Sequence, residues 1–271
     1  MTTATTDAIL ALDLGKYKSV ACLYDPADGA VLFQTLPTSR RELRRLLDGR
    51  RPAVVVIEAC TLAGWVHDLC TELGLICKVA NTAAEAWKFK HSKRKTDKDD
   101  ALRLAQLEAL GQLPAVTIPD KPTREWRALI AYRQGVVGRR VAAQNRIRSI
   151  LLGQGLPAPG GHHAWTATGL RGIEAYARPL AECGADELWR GLLHLALAEL
   201  RQARELLDQA EAKLDEFART SEAVRLLETV PGVGPRTAEA VAAHLHDPHR
   251  FASAKQVSAY AGMVPRQYQS G

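Results

Sequence analysis

Hydrophobic positions along this chain follow two different patterns. In the first hundred residues they come as short runs: AILALDL (8–14), SVACLY (19–24) and VLFQTL (31–36). Each run has the length of a strand, and turn-forming residues such as DPADG (25–29) lie between them, so the three predict a meander. SRRELRRLLDG (39–49) then places leucines at helical spacing, with Ser39 as cap and Gly49 as stop. PAVVVIEA (52–59) is an unbroken apolar run behind a proline, the pattern of a strand covered on both faces. A helix over LAGWVHDLCTELG (62–74), a buried strand over LICKVA (75–80) and a helix holding KRKTDKDDALRL (93–104) follow. The order β-β-β-α-β-α-β-α predicts an α/β fold, a mixed sheet covered by helices.

From about residue 122 the pattern becomes helical throughout. LLGQGLPAPGGHH (151–163) is a Gly/Pro-rich break. Over 182–219, Trp189, Leu193, Ala196, Leu200, Ala203, Leu207, Ala210, Leu214 and Phe217 alternate spacings of four and three. That heptad seam predicts a coiled coil or a long helical hairpin. Self-association or a projecting arm is the expectation, ahead of a helix packed on its own domain. LLETVPGVGPRTAEAVAAHL (226–245) reads as a short helix, a Gly-x-Gly turn and a second helix with Pro235 near its first position.

Charge adds a direction. The chain has 271 residues, a net charge of +6 and a pI of about 9.1, a balance that favours polyanions. Residues 123–149 alone carry Arg124, Arg127, Arg133, Arg139, Arg140, Arg146 and Arg148 against Glu125. Arginines so little compensated repel one another, so nucleic acid is the favoured partner and binding is expected to weaken with salt. Trp126 and Tyr132 within this stretch are read as core residues rather than base-stacking ones. No apolar run is long enough to span a membrane, and the N-terminus lacks the pattern of a signal peptide. Five cysteines without a CxxC pair fit reduced thiols and a cytoplasmic protein.

The candidate chemistry lies in four carboxylates. Asp13 lies on the first strand and Glu58 ends the buried fourth one. Asp97 and Asp100 stand at i and i+3 on one helix face, whereas Asp99 points elsewhere and is assigned to the surface. A buried strand does not finish in glutamate for packing reasons, since an ionised carboxylate there is costly unless paired or metal-bound. Any one of these residues alone would be read as a cap or a surface group. Four of them at strand ends and a helix face suit two Mg²⁺ ions. Lys93, Arg94 and Lys95, with Lys98, are then expected to meet phosphates of a nucleic acid.

VPGVGPRTA has the form of a helix-hairpin-helix turn, in which Gly232, Gly234 and Arg236 would hold a phosphate. A plain glycine turn is an equal alternative. His244, His246 and His249 have metal-like spacing, but only Asp247 accompanies them and a polar loop is the better reading. His162 and His163 are read as loop residues.

ALDLGKYKSVACLYD, VVVIEA and KTDKDDALRLA together resemble the RuvC-like, RNase H-fold domain of DEDD insertion-sequence transposases, the Piv-like family of the IS110 kind. The C-terminal stretch from LLETVPGVG to RQYQSG is similar to that family's second transposase domain. The resemblance implies a RuvC-like domain over 1–120, a basic helix and coiled-coil region over 121–222, and a small helical, helix-hairpin-helix-like domain over 223–271. The family continues past the position of Gly271, so truncation of that last domain is expected. It also implies that Asp13, Glu58, Asp97 and Asp100 bind the metals and that Ser270 is the nucleophile. Implied partners are donor and target DNA, a structured guide (bridge) RNA that would engage the arginine helix, and further copies of the chain in a dimer or tetramer. The resemblance also implies a cytoplasmic, nucleoid-associated protein of a bacterium or archaeon.

Three other readings remain at this stage. A RuvC-like nuclease would use metal-activated water and no serine. A truncated derivative would bind RNA or DNA without recombining it. An actin- or sugar-kinase-like ATPase would share the first phosphate loop, but the sole Gly-Gly, at 160–161, lies in the Pro-rich break.

Overall fold

The computed structural model describes residues 7–81, 96–157, 160–161 and 163–264. The chain divides into two compact units, residues 1–121 and 122–271. Lys93, Arg94, Lys95, His162 and Ser270 lie outside the described residues.

Unit one is built on a sheet in the order β3-β2-β1-β4-β5-β6. The strands are β1 (Ile9–Leu14), β2 (Lys18–Tyr24), β3 (Val31–Pro37), β4 (Val54–Glu58), β5 (Ile76–Ala80) and β6 (Ala115–Val116). β1, β2 and β3 pair antiparallel, as a meander must, and β6 pairs antiparallel with β5. β4 is parallel to both β1 and β5. Parallel neighbours need crossovers, and α1 (Arg40–Arg50) and α2 (Ala63–Glu72) supply them.

Central strands read as continuous apolar runs because both faces are covered. Leu10, Leu12, Val55 and Ile57 pack with Leu43, Leu47, Val66 and Leu69 of α1 and α2. Ile9, Ala11, Val54 and Val56 pack on the opposite face with Ala101, Leu104 and Ala105 of α3 (Asp97–Ala109). This mixed sheet between helices is the RNase H-like α/β arrangement that the resemblance implies.

One helix stop differs from expectation. α1 runs through Gly49, and Arg51 takes the left-handed cap at φ 43°. Its guanidinium donates to Asp48 Oδ1 at 2.8 Å and to the Leu73 carbonyl at 2.9 Å, which offsets the strain of that backbone.

Among the described residues, unit two is all-helical. α4 (Lys121–Gly153) carries the arginine stretch and α6 (Leu188–Thr220) carries the seam. α5 (Ala167–Glu174), α7 (Glu222–Glu228), α8 (Pro235–Leu245) and α9 (Ala254–Tyr260) complete it. α6 begins at Leu188 rather than near 182, because Gly184 separates two short 3-10 turns ahead of it. Its seam is filled from within the chain. Leu193, Ala196 and Leu200 pack with Ala143, Ile147 and Leu151; Ala203 and Leu207 with Val136; Leu214 with Ile130 and Ala243. As α6 advances, its partners on α4 recede, so the two helices form an antiparallel hairpin. The heptad positions from Leu193 to Leu214 are therefore buried within the chain, while Trp189 is half-buried and Phe217 is 36% exposed. Among the described residues, no helix is long and apolar enough to cross a membrane.

Candidate catalytic carboxylates and nucleic-acid interface

The paired register of β1 and β4 runs from Ile9–Val54 to Leu12–Ile57. Asp13 and Glu58 are the next residues on each strand, so they leave adjacent parallel strands at the same step. Side chains alternate across a strand, which puts both on the face of Ile9, Ala11, Val54 and Val56. Their cross-strand neighbours agree. Asp13 lies opposite Val20 and Glu58 opposite Ala80, and both neighbours belong to the core beneath α3.

α3 brings the other two carboxylates to that face. Its buried stripe includes Ala101, Leu104 and Leu107. Asp97 stands four and seven residues before Ala101 and Leu104, and Asp100 stands four and seven before Leu104 and Leu107. The acidic pair is thus the N-terminal continuation of the stripe that packs on the sheet. Asp13, Glu58 and Asp100 are half-buried and Asp97 is exposed. Asp99 has a different task. Its Oδ2 accepts from Thr96 N at 3.2 Å and from Thr96 Oγ1 at 2.7 Å, while Asp99 N donates to Thr96 Oγ1 at 3.3 Å. This capping box starts the helix, so Asp99 serves structure.

Carboxylate oxygens are the donors a hard divalent cation takes, and the donor set fits Mg²⁺ in chemistry. In the side-chain arrangement observed, no three His, Cys, Asp or Glu among the described residues form a group that could hold a metal ion. The backbone places Asp13 and Glu58 on the sheet face that α3 covers, with Asp97 and Asp100 at the start of α3. His244, His246 and His249 are used locally. His244 Nδ1 lies 2.8 Å from the Ala240 carbonyl, His246 Nδ1 lies 3.1 Å from Thr123 Oγ1, and Asp247 Oδ1 accepts from His249 N at 2.9 Å.

The arginine helix looks different once folded. Arg133 pairs with Glu211 at 2.6 Å and Arg146 with Glu199 at 2.7 Å, both acids on α6. Arg127 donates to the carbonyls of Ala243 and His244, at 2.8 and 3.0 Å, and so caps the C-terminus of α8. Arg148 donates to Asn145 and lies over the Trp165 ring, 4.9 Å from its centroid. The expectation that these arginines lack compensating acids is corrected for Arg133 and Arg146, whose acids come from a helix far along the sequence. Arg139 remains exposed, beside Arg146 at a groove between α4 and α6.

The Gly-x-Gly turn also has internal commitments. Gly232 takes φ 87°, and Gly234 caps α8 ahead of Pro235. Arg236 pairs with Asp215 of α6 and, at 3.1 Å, with Glu239 one turn on. Only a quarter of its side chain is exposed, so its charge is directed inward. Glu239 is 1% exposed. Burial pushes its carboxyl above the usual range; Arg236 and Arg133 oppose that rise, and Asp215 and Glu228 add to it.

Sequence reasoning missed these counter-charges, although a signal existed. Glu199 precedes Leu200, and Glu211 follows Ala210. They hold the positions flanking the seam, where charges meet a partner helix.

A family model described as DEDD_Tnp_IS110, a transposase, matches residues 10–154, more than half of the chain. The chain belongs to the IS110 family of DEDD transposases. A second model, described as the transposase of the IS116/IS110/IS902 family, matches residues 224–271. The transposase for insertion sequence element IS1111A of Coxiella burnetii is 27% identical, covering 97% of this chain and 70% of that protein. The IS1328 transposase of Yersinia enterocolitica is 26% identical, covering 97% and 75%. Among solved structures, Thermus thermophilus RuvC in complex with a Holliday junction substrate covers 41% of this chain and 99% of its own, at 13% identity and a TM-score of 0.30. In this IS110-family chain the first match spans Asp13, Glu58, Asp97 and Asp100, and the second spans the Gly-x-Gly turn and Ser270.

Proposed function

We propose that this chain cuts and rejoins DNA as a transposase whose catalytic carboxylates are Asp13, Glu58, Asp97 and Asp100. The observation that carries the reading is their placement. Two adjacent parallel strands carry carboxylates at the same step near their ends, and the helix on that face presents two more. Four acids on one face are ill-suited to packing and well suited to holding a hard cation. Bound Mg²⁺ supplies stabilisation of charge on a scissile phosphate.

The chain's own residues supply position and nucleophile. Asp13 and Glu58 are carried by the sheet, and Asp97 and Asp100 by a capped helix, so the fold sets their backbone positions. Ser270 Oγ attacks the scissile phosphorus and loses its proton. The 3′-oxygen leaves and takes a proton, giving a phosphoserine ester and a free 3′-hydroxyl. Attack by a 3′-hydroxyl on that ester reseals the strand and restores the serine. A structured guide RNA selects the sites, with arginines of α4 such as Arg139 on its phosphates, and the chain acts as a dimer or tetramer. The turn at Gly232–Gly234 would hold a DNA phosphate through backbone N–H groups.

The test uses DNA carrying the element's ends, the guide RNA and Mg²⁺, read on a denaturing gel. A protein–DNA adduct with wild type and none with Ser270→Ala is expected. Cleavage that survives Ser270→Ala would instead mark a RuvC-like nuclease that uses water.

A further inference from the structure

The loop joining β1 to β2 follows directly on Asp13 and is braced beyond what a short turn needs. The residue after β3 reaches across to clamp it. Thr38 N donates to the Tyr17 carbonyl at 2.9 Å, and Thr38 Oγ1 donates to the Gly15 carbonyl at 2.7 Å. Ser19 Oγ lies 2.7 Å from the same hydroxyl, and Ser19 is fully buried. Burying a hydroxyl is costly unless its hydrogen bonds are made, and here it joins a chain that fixes the loop. Gly15 belongs to the same device, because a Cβ there would stand 2.4 Å from the Lys18 carbonyl oxygen.

What the bracing holds out is a tyrosine and two lysines. Tyr17 is 74% exposed, and Lys16 and Lys18 beside it are exposed. The Lys16 ammonium sits 5.0 Å from the Tyr17 ring centroid. Tyr17 is four steps along the chain from Asp13, so their Cα atoms are at most about 14 Å apart. A rigid loop that presents an aromatic ring among cations, next to carboxylates that act on a phosphodiester, matches the chemistry of an unpaired strand. Every base has a face to stack on the ring, and lysines meet the phosphates on either side.

We propose that Tyr17, with Lys16 and Lys18, forms a stacking platform for an unpaired DNA base next to the phosphate cut at the carboxylate face. This rests on the reading of Asp13 and Glu58 as catalytic. The platform makes Tyr17 a positioning residue. It holds the strand so that the phosphate is presented to the carboxylates, and it does so without sequence preference.

The test measures binding of the full chain to labelled single-stranded DNA, the matching duplex and single-stranded RNA, by fluorescence anisotropy. Tyr17→Ala is expected to weaken single-stranded DNA binding about tenfold or more, in the range of lost base stacking. Tyr17→Phe keeps the ring and is expected to bind as wild type does, and duplex affinity stays within about twofold for both. Lys16→Ala and Lys18→Ala each lower the salt dependence by about one phosphate contact. A 2-aminopurine placed in the strand is quenched by wild type and by Tyr17→Phe but not by Tyr17→Ala. Unchanged single-stranded binding by Tyr17→Ala would overturn the platform, as would an equal loss on duplex or a loss confined to RNA. Cleavage is read in parallel with the same proteins on element-end DNA with the guide RNA and Mg²⁺. Wild-type cleavage with Tyr17-independent binding sinks the platform alone. Tyr17-dependent binding with no wild-type cleavage supports the platform and sinks the catalytic reading.

Discussion

Asp13 and Glu58 stand side by side near the ends of two parallel strands, one step past Leu12 and Ile57, the last residues that β1 and β4 pair with each other. The shared step and shared face follow from the sheet register, so a register slip of one residue would send either side chain to the opposite face. That coupling between strand pairing and site geometry explains why the carboxylates sit on β1 and β4. These are central strands, buried along their length before the acids begin.

The three aspartates at the start of α3 are expected to separate by task. Asp99→Ala removes half of the capping box and should cost about 1 kcal/mol of stability while leaving cleavage by the folded protein unchanged. Asp97→Asn and Asp100→Asn should reduce cleavage at least tenfold with little change in the unfolding midpoint. Denaturant unfolding and a cleavage assay on the same three proteins check this. Loss of cleavage by folded Asp99→Ala would contradict the division.

The seam of α6 should behave as an intrachain core. Leu200 is 1% exposed and packs against α4 residues. Leu200→Ala is expected to cost roughly 2–5 kcal/mol, as deletion of a buried leucine side chain does. The loss should be the same at low and high protein concentration. A penalty that shrinks as concentration rises would show instead that the seam is completed by a second copy.

Glu239 gives a pH test with a definite sign. Its folded-state carboxyl lies above the ordinary value of 4.5, with burial as the largest cause. A raised carboxyl contributes stability that is fully present below the unfolded value and is lost as pH rises through the folded one. Glu239→Gln removes this titration. The variant's unfolding midpoint relative to wild type should therefore be more favourable at pH 7 than at pH 4. A variant that loses more at pH 7 would mean that the pairing with Arg236 outweighs desolvation. Arg236→Ala, which leaves a buried carboxylate without its guanidinium, should cost about 3–5 kcal/mol at pH 7.

Much of unit one was legible because its strands announce themselves locally. VVVIE reads as a doubly covered strand from its own letters, and its terminal glutamate stands out against them. The i, i+3 relation of Asp97 and Asp100 is likewise a local matter. Other features depend on contacts far apart in sequence. Gly49 looked like a helix stop, but Arg51 takes the cap because Asp48 and the Leu73 carbonyl hold its side chain. The arginines of α4 looked uncompensated because Glu199 and Glu211 lie 53 and 78 residues away from the arginines they meet. The bracing of Gly15 and Tyr17 by Thr38 was invisible for the same reason, since strand β3 must return before the clamp exists.

The central claim is that Asp13 and Glu58 act together on DNA. The direct measurement is Mg²⁺-dependent strand cleavage of element-end DNA, with the guide RNA present, by wild type, Asp13→Asn and Glu58→Gln, each confirmed folded by circular dichroism. Both substitutions keep size and remove charge, so both variants should retain DNA binding and lose cleavage by at least a hundredfold. Full cleavage by either folded variant would contradict the account.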